Sequence, residues 1–379
     1  MLGIPWFVWL AVAGVTSAMI GIHWDISWHK SIGRDTFWTP AHLAIQLCGV
    51  IAGITCGYLI LWTTFARKSA RAVAARAAAV QVLGFRGPLG AFITAWGGFT
   101  MITSAPFDDW WHSAYGLDVR ILSPPHAVLA IGIFGVELGT MVLVASQMNR
   151  ETDPKVKARL RMMFAYVASM VLIAAMVLVL EFTGRIFLHS AIAYRIIALL
   201  APVTLAMAPR ATGMKWGSTA VAGMYTIFVL AMEWILPLFP AQPKLGPVLH
   251  AVTQFIPNGF PLLLIVPALV MDWLRPRISG WPNWRQALVM GACFLAALLV
   301  AEWPFAAFLQ SEGARNWFFG SHYLEYFAGP KGYAATYRFI RYEKTTAEFV
   351  TGMAGALACG FAASWLGLVR GEWMSRVHR

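Results

Sequence analysis

The chain has 379 residues, of which 59% are hydrophobic and only 12% charged. A soluble domain carries about twice that charged fraction, so a water-soluble globular protein is excluded. The net charge of +12 is explained by membrane topology, because Lys and Arg collect in cytoplasmic loops. It does not point to nucleic acid as a partner.

Apolar runs of about 20 residues recur along the chain, the length that crosses a bilayer as helix. They are continuous rather than alternating, which speaks against a transmembrane barrel. The expected fold is all-α: a polytopic helical membrane protein with about ten transmembrane helices. Residues 5–22 form the first. No Lys or Arg stands in residues 1–22, so a retained helix is expected there rather than a cleaved signal peptide. The second runs over 38–65, and a basic stretch with Arg67, Lys68, Arg71, Arg76 and Arg86 follows. The third and fourth cover 88–106 and 125–147, and the charged loop NRETDPKVKARLR comes next. Six more runs cover 161–181, 191–208, 216–236, 254–274, 286–308 and 346–369. An aromatic loop at 311–345 precedes the last. Residues 1–150 thus read as a four-helix membrane module, and 151–379 as a further six-helix region.

With ten crossings, the larger share of the 29 Lys and Arg residues falls on the side that also holds both termini. That side is expected to be cytoplasmic, in a cell inner (plasma) membrane. All nine histidines except His378 then fall on the external, periplasmic side. His189, His250 and His322 are lone loop residues and read as surface or interface groups. Cys48, Cys56, Cys293 and Cys359 are scattered in apolar runs without pairing and read as small core residues. Glu137, Glu233 and Glu302 lie within or near the ends of apolar runs, where a carboxylate is costly unless paired or functional. A proton path or pairing with Arg185 or Arg195 are the roles open to them.

One polar stretch, His23 to His42, has a partial copy at Asp108 to His126. Asp25, Trp28, His29, Gly33 and Asp35 match Asp108, Trp111, His112, Gly116 and Asp118. Pro40 and His42 match Pro124 and His126. Asp25 and His29, like Asp108 and His112, are four apart and share a helix face. Gly33 and Gly116 permit a turn. Thr39-Pro40 and Ser123-Pro124 are helix starts, with Pro at the first position, so His42 and His126 fall in a first turn. The positive helix N-terminus disfavours imidazolium and keeps them neutral. Each copy can present one carboxylate and two imidazoles from adjacent helices. That donor set suits copper, zinc or non-haem iron. The metal ligands expected are Asp25, His29 and His42, and Asp108, His112 and His126. Asp35 and Asp118 could orient ligand imidazoles. His23 falls on another helix face, and Trp28 and Trp111 anchor helix ends in the interface. Without a metal, each triad would be polar bracing for a hairpin.

The run R-D-T-F-W-T-P-A-H at 34–42, preceded by D-x-x-W-H at 25–29, resembles the C subunit of particulate methane monooxygenase and its ammonia monooxygenase relatives. The resemblance extends over about residues 5–147. It implies a copper site at Asp25, His29 and His42, with Arg34, Asp35, Thr36, Thr39 and Pro40 matching the flanking motif. It implies a second site at Asp108, His112 and His126, where the family has Asn in place of Asp108. The implied activity is copper-dependent, O2-driven oxidation of a small apolar substrate, with other monooxygenase subunits or a homo-oligomer as partners besides the lipid bilayer. Residues 151–379 and the lack of a cupredoxin-like domain depart from the family. The alternative is a non-catalytic copper transporter, chaperone or metalloenzyme assembly protein. The methionine-rich external clusters suited to copper handling by soft ligands are absent.

Overall fold

A computed structural model of the chain describes residues 3–66, 70–116 and 123–379. The fold is helical. The helices are α1 (Trp6–Ser31), α2 (Pro40–Phe65), α3 (Ala70–Ala77), α4 (Leu89–Tyr115), α5 (Pro124–Arg150), α6 (Pro154–Leu178), α7 (Leu180–Thr183), α8 (Ala191–Thr212), α9 (Gly217–Ile235), α10 (Ile265–Ile278), α11 (Asn283–Leu309), α12 (Tyr333–Thr336) and α13 (Thr346–Met374). Two short strands, β1 (Val80–Val82) and β2 (Phe85–Gly87), form an antiparallel hairpin in the basic stretch. Leu83 and Gly84 both take positive φ at its tip, as the tightest hairpin turns require.

Eight of the described helices are long and apolar enough to cross a membrane: α1, α2, α5, α6, α8, α9 with its short extension to Leu238, α11 and α13. Ile54, Ile131, Ile227 and Val300 lie exposed within these spans, as lipid-facing residues would. The protein is a multi-pass membrane protein. Two expected runs differ from the other eight. α4 is 27 residues long but diluted by Gly, Thr and Trp. Residues 254–264 are irregular, and α10 that follows has 14 residues. At 1.5 Å per residue that is about 21 Å, short of the roughly 30 Å hydrocarbon core.

The chain forms two compact units. Unit 1 is Met1–Ile22, Phe37–Ala174 and Trp373–Arg379; unit 2 is His23–Thr36 and Ala175–Glu372.

Unit 1 is built on small residues. Lipid is as apolar as Leu, so no hydrophobic drive holds helices together in it, and close backbone packing takes over. A side chain added at Gly97 of α4 would fall 2.5 Å from the Val136 nitrogen and 2.8 Å from the Gly132 oxygen of α5. Gly90 and Gly139 make equally close approaches between the same two helices. Gly98 of α4 meets Gly49 and Gly53 of α2. Near this core Glu137 is fully buried, and neither of its oxygens has a hydrogen-bond partner among the described residues. At the other face, Gly3 lies against Val156 and the Thr16 hydroxyl is 2.8 Å from that of Tyr166, so α1 and α6 run parallel. Asn149 donates to the carbonyls of Met374 and Val377. Both chain ends therefore lie against the α5–α6 connection.

Unit 2 holds the irregular chain with side chains. Gly259 N donates to Glu233, Leu263 N to Glu302, and Leu262 N to the Tyr225 hydroxyl. Ile256 donates to Ser31 Oγ and accepts from Ser27 Oγ. Asp272 accepts from Ser218 N, Thr219 N and the Thr219 hydroxyl, capping α9 from another helix. Arg195 and Arg185 are not paired with these glutamates by any described hydrogen bond or ion pair; Arg185 lies over Tyr337. His189 is sandwiched between Trp303 and Phe339, with ring centroids 4.1 and 3.7 Å away. Its Nε2–H donates to the Trp303 carbonyl at 2.9 Å.

Gly97→Ala is expected to cost about 3 kcal/mol, since backbone on the facing helix must move. Gly57→Ala, with nothing within 4 Å, should be neutral or stabilising by roughly 0.5–1 kcal/mol. Denaturation in detergent separates the two; equal stabilities would disprove the close-packing account. Burial holds His189 below its ordinary pKa, Arg341 adds to the shift, and the Trp303 bond opposes it. The folded state thus binds fewer protons than the unfolded one. The His189 contribution is full above about pH 6.5 and is lost as the pH falls through the folded value. Between pH 8 and pH 5 the melting temperature should fall further for the wild type than for His189→Gln.

Candidate metal centre

The second copy of the motif lies wholly in unit 1. α4 runs on through Asp108 and His112 and stops at Gly116, whose φ is +88° and whose N–H returns to the His112 carbonyl. α5 begins at Pro124, and the Ser123 hydroxyl accepts from His126 N at 3.4 Å. The glycine faces that press α4 onto α5 thereby set the end of one helix beside the start of the other. His112 Nε2 lies 3.5 Å from Asp108 Oδ2, and His126 Nε2 lies 3.6 Å from Asp108 Oδ1. All three residues are half-buried and offer ligand atoms within 4.8 Å of one another.

The proton positions follow from the partners. His112 Nδ1 is 3.2 Å from the Gly116 carbonyl, which can only accept, so Nδ1 carries the hydrogen. In a neutral ring the Nε2 lone pair then faces Asp108. A lone pair opposed to a carboxylate is repulsive unless a cation or a proton lies between. Asp108 Oδ1 is buried and takes no hydrogen bond from a described residue. Ligand atoms around one ion with bonds of about 2.0–2.1 Å stand roughly 3.3 Å apart. The observed separations need little contraction to reach that, so the donor set fits a divalent transition metal.

In the first copy, Asp25 and His29 lie on the last turns of α1. The C-terminal end of that helix is seated in unit 2 by Ile32, Trp24 and Trp28 against Phe228, Met232, Leu236, Ala241 and Phe255. Trp28 also donates to the Arg34 carbonyl, closing the turn in which Gly33 has φ +85°. Arg34 itself is exposed. The turn brings Asp35 back onto the helix end. His29 Nε2 is 3.8 Å from Asp25 Oδ2 and 3.4 Å from Asp35 Oδ2. Asp35 thus meets the same nitrogen that Asp25 meets. The signal for this was the left-handed Gly33 two residues before a second carboxylate. His42 stands in the first turn of α2, in unit 1; Thr39 holds the N-cap position but makes no side-chain cap bond. Asp118 lies outside the described residues.

His23 is buried with its ring edge on Phe228, on a different face from Asp25. His322 stacks on Tyr323, centroids 3.9 Å apart. The aromatic 311–345 loop does reach the first motif within unit 2. Tyr326 N donates to the Lys30 carbonyl, and Lys30 pairs with Glu325 at 3.8 Å.

No family model, curated protein or solved structure matches the chain.

A side chain at Gly33 would fall 2.2 Å from the Tyr326 hydroxyl oxygen, in addition to the positive φ. Gly33→Ala is expected to lose roughly 1–3 kcal/mol, read as a lower melting temperature. Adding Tyr326→Phe should restore only part of the loss, since it relieves the clash and leaves the backbone strain. An unchanged melting temperature for Gly33→Ala would show that the turn is not constrained in this way.

Proposed function

We propose that this is a copper-binding membrane protein of the kind represented by the C subunit of copper membrane monooxygenases, taking part in O2-dependent oxidation of a small apolar substrate. The observation that carries the reading is the opposition of two imidazole nitrogens to Asp108, with His112 Nδ1–H committed to the Gly116 carbonyl. Asp108, His112 and His126 would hold one ion. At the first motif, Asp25 and His29, with Asp35 as a further donor, would hold another. Bound copper would supply the redox chemistry that dioxygen requires. The chain's own contribution is to fix the His112 tautomer through Gly116, to anchor the His126 turn through Ser123, and to keep the ligands at the end of a lipid-embedded pair of helices. An apolar substrate reaches such a site from the bilayer.

The reading includes ten crossings, both termini cytoplasmic, and metal motifs on the periplasmic side of the inner membrane. Three observations support this topology. α1 and α6 are parallel, as they would be if α4 crosses along with α2 and α5. The two chain ends share one end of unit 1, as an even total would place them. Residues 256–264 with α10 then supply the tenth crossing, as an extended stretch followed by a half-length helix. Irregular backbone at that depth is tolerated where protein groups satisfy it, as Glu233, Glu302 and Tyr225 do. The Asp108 cluster lies at the far end of α5 from the termini. Other monooxygenase subunits or a homo-oligomer would complete the enzyme.

Metal analysis and electron paramagnetic resonance on purified protein test the proposal. The wild type should hold copper in stoichiometric amount. His29→Ala and His112→Ala should each lose about one equivalent, since removing one of three ligands costs at least the 10–100-fold typical of weaker perturbations at metal sites. Wild-type protein without stoichiometric metal would refute the reading. Oxygen uptake stimulated by short alkanes or ammonia would support oxidation; bound copper without such uptake would favour a copper-handling role.

A further inference from the structure

A groove in unit 2, sharing no residue with either histidine motif, combines one arginine and two glutamates in a lining that is otherwise mostly apolar. Its volume is about 650 Å3, and it is lined by residues of α7, α8 and α13 and the loop before α13, including Phe182, Arg195, Tyr342, Glu343 and Glu348. Volumes of this order suit small-molecule ligands.

The two carboxylates are fixed. Glu343 accepts from the Ser190 hydroxyl at 2.5 Å and from Ile192 N at 3.2 Å, and so caps the start of α8. Glu348 accepts from Lys344 N while its own N–H donates to the Thr345 hydroxyl, a reciprocal cap at the start of α13. Both helix N-termini are therefore already served by negative charge. Arg195 is different. It sits in the second turn of α8, exposed, its stem laid along Gly355 of α13. It makes no hydrogen bond or ion pair with a described residue. A guanidinium in a membrane span is costly without an anionic partner, and the groove provides the room for one.

We propose that this groove binds the headgroup of an aminophospholipid, phosphate on Arg195 and ammonium between Glu343 and Glu348. The charge order along the helix matches the ligand. Arg195 lies five residues deeper than Ser190, about 7.5 Å into the span at helical rise, while the two carboxylates stand at the rim. A bilayer phospholipid presents its phosphate nearer the acyl chains and its amine farther out. Arginine takes phosphate in a bidentate fork, and a primary ammonium can donate to two carboxylates at once. Ile192, Ala347 and Gly352 give the groove an apolar wall beside the headgroup. A purely anionic headgroup would meet Arg195 but also the two carboxylates, which repel it. This binding does not depend on metal at either motif.

Native mass spectrometry of the full chain in detergent tests the proposal, with phosphatidylethanolamine, phosphatidylglycerol and phosphatidylcholine of identical acyl chains. Phosphatidylethanolamine adducts should appear at the lowest concentration. Arg195→Gln should weaken them about tenfold, the scale of one charge-assisted hydrogen bond. Glu348→Gln retains the cap, because Gln serves in the same role; it should weaken phosphatidylethanolamine and strengthen phosphatidylglycerol, by removing one of the charges that repel it. Equal binding of the three headgroups by the wild type, a preference for phosphatidylglycerol, or insensitivity to both substitutions would overturn it. The wild-type comparison needs no variant to fold.

Discussion

The approach of α4 to α5 is the contact on which the Asp108 centre depends. Between Gly90 and Gly97 on one helix and Gly132 to Gly139 on the other, backbone meets backbone. Nothing in lipid pulls two apolar helices together, so the contact is made of dispersion and close fit. The consequence appears one helix end away. Asp108 and His112 finish α4, His126 starts α5, and their positions follow from the angle and distance at which the glycines let the helices meet. A side chain at Gly97 or Gly139 would part Asp108 and His112 from His126 as well as the helices.

Buried carboxylates in this protein fall into two groups. Glu233, Glu302 and Asp272 each accept backbone N–H groups that no regular helix satisfies. Their acceptor oxygens are what let irregular chain and a helix start exist away from water. Glu137 has no such task. Both its oxygens lack a hydrogen-bond partner among the described residues, so it supports no described backbone group.

Much of this was legible in the residues. The continuous apolar runs gave the helices, because length and hydropathy are properties of a segment alone. The motif copies were visible because i, i+4 spacing and Pro at a helix start act locally, and Asp108, His112 and His126 converge as their spacing implies. Three features were not legible. Residues 254–264 are as apolar as a helix, but their backbone is claimed by Glu233, Tyr225 and Glu302, which lie far off in sequence. The Val80–Gly87 hairpin hides in a basic stretch, signalled only by Gly84. Asp35 reaches His29 because Gly33 reverses the chain, and φ at one glycine is not written in hydropathy.

The partners of the irregular segment also bear on how the protein is made. Ile256 finds Ser31, synthesised 225 residues earlier, and Gly259 and Leu262 find α9, already in place. Leu263 has to wait for Glu302, 39 residues further on. When residues 256–278 leave the ribosome, α10 is only 14 residues long and the Leu263 amide still lacks its acceptor. The fold of this segment is therefore completed by α11, which supplies the last of these acceptors, rather than by its own hydrophobicity.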